Sequence, residues 1–137
     1  MSNKYLQGFG EVLKGLDTGD GYGSQALVTG SSFRTATVTI ADTETDSAEL
    51  DCGNGVLVGF MTDADIDGTS MTFKAGVTSG TTTALSNMYG AVSLTVAASE
   101  SFAVEPQDFF PYRYVVFVSG AAQSGAATTI TAIIRMI

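Results

Sequence analysis

The chain has 137 residues, one domain's length, with 45% hydrophobic and 15% charged residues, 16 Gly, 2 Pro, one Cys and neither Trp nor His. Six basic against fourteen acidic residues give a formal charge of −8. Such a composition excludes a disordered acidic tail, which lacks apolar residues, and a disulfide mini-protein, which has more cysteine.

The first thirty residues hold seven glycines, including the tract Gly19-Asp20-Gly21-Tyr22-Gly23. So much glycine raises unfolded-state entropy and offers little to pack, so residues 1–32 read as an arm ahead of the domain. Tyr5 and Leu6 open an apolar series in which Leu6, Phe9, Leu13 and Leu16 recur at helical spacing. Gly8, Gly10 and Gly15 weaken that helix by about 1 kcal/mol each, and an arm that orders only against a neighbouring subunit fits the same residues. Fully stretched, such an arm reaches about 100 Å.

From Phe33 onward the pattern is β. Residues 34–40 (Arg-Thr-Ala-Thr-Val-Thr-Ile) alternate polar and apolar positions and are rich in β-branched side chains. Residues 56–62 form a denser apolar run, as expected of a strand buried on both faces, after a turn at Gly53-Asn54-Gly55. Met71, Phe73 and Ala75 point one way from the next strand, a Thr/Gly/Ser loop fills 77–83, and a strand is predicted over Ala84–Tyr89. Gly90 ends it; Val92, Leu94 and Val96 share a face; Phe102–Val104 is a short strand stopped by Pro106. Strands over 113–119 and 128–137 close the chain around a small-residue loop at 120–127. About eight short antiparallel strands at this spacing predict an all-β sandwich or jelly roll over residues 33–137.

Chemistry-bearing patterns are sparse. Asp63-Ala-Asp-Ile-Asp67-Gly68 matches the first half of a calcium loop, but its closing bidentate position is Lys74 and its flank is a strand. An EF-hand is excluded; a looser cation site and a plain acidic turn both fit. Eight of the fourteen acids lie between positions 42 and 67, with no base from 35 to 73, which fits a charged sheet edge or a surface for a basic partner. The lone Cys52 has no histidine to activate it and reads as a packed residue. Phe109, Phe110 and Tyr112 are either core residues or a sugar-stacking platform. No nucleophile motif, phosphate-binding glycine loop or zinc-ligand set is present, so neither an enzyme nor a cofactor or metal protein is expected. Six scattered bases cannot build a nucleic-acid face, and no apolar run approaches a membrane span.

One succession of segments carries a resemblance. Residues 56–61, Met71-Thr-Phe-Lys74, Asn87-Met-Tyr89, Val92–Val96, Ala103-Val-Glu-Pro106, Phe109, Tyr112-Arg-Tyr-Val115, Ser119-Gly-Ala-Ala-Gln123 and residues 129–135 follow one another in order. Over roughly 47–137 that order resembles the β-sandwich domains of tailed-phage capsid decoration (cement) proteins and head-fibre components. The resemblance implies a virion structural protein, made in a host cytoplasm and placed on the capsid exterior. Its expected partners are the major capsid protein and copies of itself, as a trimer, with no catalytic residues to transfer. Tyr5, Leu6, Phe9, Leu13 and Leu16 are the expected anchoring contacts of the arm. The alternative within the same group is a head-fibre or tail module that binds host carbohydrate.

Overall fold

The computed structural model describes residues 32–137. Among them lie eleven strands and one helical turn: β1 (Phe33–Ile40), β2 (Leu50–Asp51), β3 (Gly55–Met61), β4 (Ser70–Gly76), β5 (Thr83–Ala84), β6 (Ser86–Asn87), β7 (Gly90–Ala91), β8 (Ser93–Thr95), β9 (Ser101–Ala103), α1 (Pro106–Phe109), β10 (Tyr114–Ser119) and β11 (Thr128–Met136). All ladders are antiparallel. The first sheet runs β1-β11-β3-β9; the second runs β2-β10-β4, with β5 and β8 side by side on the far edge of β4.

Apart from β5–β7, the strands pair by nesting. β1 pairs with β11, β2 with β10, β3 with β9 and β4 with β8. First with last and second with second-last, shared between two sheets, is the connectivity of a jelly roll. The predicted all-β sandwich is the observed fold, and β5 with the β6–β7 hairpin forms an insertion where the nest turns back.

Period-two alternation places the core. On the first sheet Val38, Ile40, Ile130, Ala132, Ile134 and Phe60 face inward; on the second, Leu50, Met71, Phe73, Ala75, Val115 and Phe117 do so. Aromatic edges lock the two layers together: Phe60 meets Phe117 at 5.2 Å and Phe73 at 6.2 Å between centroids, and Phe73 meets Phe117 at 5.4 Å. Such pairs contribute about 0.5–1.5 kcal/mol beyond area burial. At the open edge, Ser47 bridges to Ile40 and the Arg34 guanidinium donates to the Asp51 carbonyl at 2.8 Å.

Two predicted elements differ from the structure. The dense run at 56–61 has buried residues on both faces but is not regular: Ile133 opposes Gly59 while Ile134 opposes Leu57, so Val58 is the extra residue of a β-bulge. The bulge shifts the alternation by one, so Leu57 and Phe60 both point into the core, while Val56, opposite Arg135 on the other face, is buried as well. The strand predicted over 84–89 is two two-residue ladders and a turn, in which Tyr89 N–H donates to Asn87 Oδ1 at 2.8 Å.

Candidate interaction surfaces

The arm residues Tyr5, Leu6, Phe9, Leu13 and Leu16 lie outside the described residues. The remaining candidates can be placed.

The acidic turn at 63–67 is tied into the loop that joins β10 to β11. Asp63 accepts from the Thr128 hydroxyl, from Thr129 N–H at 2.8 Å and from Asp65 N–H at 3.0 Å. Burial opposes ionisation of Asp63, but these donors outweigh it and hold its carboxyl below the usual range. Asp67 Oδ2 accepts from Ser124 N–H at 2.8 Å, and its backbone N–H donates to Gln123 Oε1 at 2.9 Å. The carboxylates are therefore occupied in stapling loops. Among the described residues no group of three or more His, Cys, Asp or Glu is placed to hold a metal ion.

Gln123, fully buried, is the centre of this end of the sandwich. Its amide reaches Asp67 and Ala121, its N–H donates to the Glu44 carbonyl at 3.0 Å, and its carbonyl accepts from Thr43 N–H at 2.8 Å. Three loops thus meet on one side chain and its backbone. Thr43 adopts φ +73°, a conformation β-branched residues rarely hold.

The acidic segment 42–67 does not form one surface. Asp42 accepts from Gly125 N–H and shares the loop end with Asp63 and Asp67. Asp46 and Asp51 are instead paired along the second sheet, Asp46 with Lys74 at 2.7 Å and Asp51 with Arg113 at 2.8 and 3.0 Å. The Lys74 hydrogen bond lowers the Asp46 pKa, and the Arg113 fork holds Asp51 down to about 2. Cys52 is fully buried, and burial pushes its thiol up to about 11, so the thiolate that chemistry needs is suppressed.

The aromatic run does not form a platform. Phe109 is fully buried and meets Phe73 edge-on at 5.0 Å, Tyr112 packs against the core, and Phe110 is 66% exposed. The exposed ring that sequence reasoning missed is Tyr89, 90% exposed beside Met88 (86%) at the β6–β7 tip. It lines a cleft of about 290 Å³ between the hairpin, β8 and the start of α1, together with Asn87, Glu105 and Asp108. Asn87 Nδ2 donates to both Asp108 oxygens at 3.3 Å. Val92 and Val104 give the cleft a buried apolar floor. The Asn-Met-Tyr-Gly sequence was the only signal, since a turn-forming Asn-x-x-Gly presents its middle residues to solvent.

No family model matches the chain, and no curated protein matches it. Among solved structures, the chain is similar to the SPBc2 prophage-derived protein YomS, at 16% identity and a TM-score of 0.49, over 76% of this chain and 95% of that one. It is also similar to a chain from the Bacillus endospore appendages, described as a novel family of disulfide-linked pili, at 14% identity and a TM-score of 0.38, over 77% and 88% of the two chains. Identities this low leave no residue-by-residue correspondence to transfer.

Proposed function

We propose that the chain is a structural protein of a tailed-phage virion, which decorates the capsid exterior, oligomerises and bridges capsomers so as to stabilise the shell. The sequence resemblance over 47–137 motivates this reading. The observation that carries it is the use made of the reactive-looking groups. Asp63 and Asp67 staple loops, Asp46 and Asp51 are ion-paired, and Cys52 and Phe109 are in the core. These candidate side chains are spent on rigidity. The arm residues Tyr5, Leu6, Phe9, Leu13 and Leu16 are assigned the anchoring contacts on the neighbouring capsomer, on the strength of their spacing. Mass spectrometry of intact particles tests the role: hundreds of copies per virion are expected, and a handful would place the protein in a tail or vertex instead. Deleting residues 1–32 is expected to abolish capsid retention, and unchanged retention overturns the arm assignment.

The Tyr89 cleft favours a second reading, a head-fibre module that holds a host glycan. A cleft lined by an exposed ring, buried valines, an amide and carboxylates suits a pyranose, which has an apolar face and hydroxyl edges. A glycan array with the wild-type chain and Tyr89→Ala decides it: a signal lost in the variant supports this reading, and a blank array removes it.

A further inference from the structure

The outer face of the first sheet is built differently from the rest of the surface. Thr35, Thr37 and Thr39 on β1 lie directly opposite Ile133, Thr131 and Thr129 on β11. All six alternate with the inward residues Val38, Ile40, Ile130, Ala132 and Ile134, so they point outward. Met61 continues the row on β3, opposite Thr131, and Phe33 at its margin is 58% exposed. Eleven of the fourteen acids fall within residues 42–108, and none is on these outward positions; the single charge there is Arg135, and Asp63 borders the face where it accepts from Thr129 N–H. The outer face of the second sheet, in contrast, carries the Lys74–Asp46 and Arg113–Asp51 pairs.

We propose that this threonine face is the surface by which a second copy of the chain docks. The inference rests on the oligomeric part of the function proposed above and names its interface. Charge selects the face. Two copies at −8 repel, so a stable contact must lie where the acids are absent. Threonine suits such a contact because its branched side chain has little rotamer freedom to lose, and it offers both a methyl group and a hydroxyl. An uncharged array is also compatible with itself, as an isologous contact requires, and such a contact pairs copies two by two where the resemblance implied a trimer. Area sets the strength. Strands of 8, 9, 7 and 3 residues, at about 4.8 Å spacing and 3.4 Å rise, give roughly 450 Å² of flat sheet per copy. Side-chain corrugation brings two copies to about 1,000 Å², the lower bound for a specific interface. Association is therefore reversible and concentration-dependent in solution.

Sedimentation equilibrium of the full chain over a concentration series tests this. The wild type is expected to oligomerise reversibly. Thr37→Glu with Thr131→Glu, two carboxylates at the centre of the face, is expected to weaken association at least 100-fold. Ser93→Glu with Thr95→Glu, the same charge change on exposed positions of the second sheet, is expected to leave it unchanged. Because the first variant can fail by misfolding, a complementary pair is added. Thr37→Lys/Thr39→Lys and Thr129→Glu/Thr131→Glu are each expected to be monomeric alone and to associate when mixed. A wild type that stays monomeric, a Thr37→Glu/Thr131→Glu variant that associates like the wild type, or a mixed pair that stays monomeric overturns the proposal. Particle copy number is measured separately, so a virion protein that is monomeric in solution would lose this interface and keep the decoration role.

Discussion

At the scale of single residues, the described domain spends its acids on local order, and pH exposes that spending. Asp46, Asp51 and Asp63 all have folded-state pKa values below those of an unfolded carboxyl. Groups depressed on folding contribute stability that is present above the unfolded value near 4 and lost as pH falls through the folded value. Thermal melts are therefore expected to hold steady from pH 7 to about 5 and to drop steeply from about 4 toward 2. Asp63→Asn is expected to lower stability at pH 7 by about 1–3 kcal/mol, because three donors lose a charged acceptor. Its acid-side loss should be shallower than the wild type's. Equilibrium denaturation at several pH values measures both. Thr43 supplies the opposite sign. Its left-handed backbone costs about 1–2 kcal/mol for a branched residue, more than the extra unfolded-state entropy of glycine, so Thr43→Gly is expected to raise the melting temperature by a few degrees. A melting temperature that falls would show the backbone there to be relaxed.

Single elements show where sequence and structure meet. β3 is the central strand most sensitive to a small change, because Gly59 sits beside its bulge with a Cβ position only 2.8 Å from the Phe102 carbonyl oxygen of β9. Gly59→Ala is expected to push β9 away and cost about 1–3 kcal/mol, read as a lower denaturation midpoint with an unchanged slope. β1, β4 and β11 were legible in the sequence because each runs seven residues or more with one face buried, so period-two alternation is written out in full. β2 and β5–β7 were not, since a two-residue ladder has no period to read. The bulge at Val58 was hidden in the sequence, because an unbroken apolar run shows no change of phase. The polar sites were hidden for a different reason: Asp63 finds Thr128 and Asp67 finds Gln123 across 65 and 56 residues of chain. Partners that far apart in sequence leave no local pattern.

For the molecule as a whole, the nested strand order places a condition on time. β1 obtains its ladder from β11, so the first of the described strands to leave the ribosome completes its pairing only after residues 128–136 have followed it. Nearly every main pairing in the domain is similarly non-local, which puts folding in the millisecond-to-second range expected of sandwiches. A ribosome-bound chain stopped at Ala127 is expected to be cut readily by protease, while one carrying the full sequence and a linker resists; early resistance in the shorter chain would refute this order. The threonines of that face are divided between β1 and β11, so chains that end before β11 do not carry it. Self-association through the proposed face would then begin among completed chains alone, and copies on crowded polysomes would not find one another too soon.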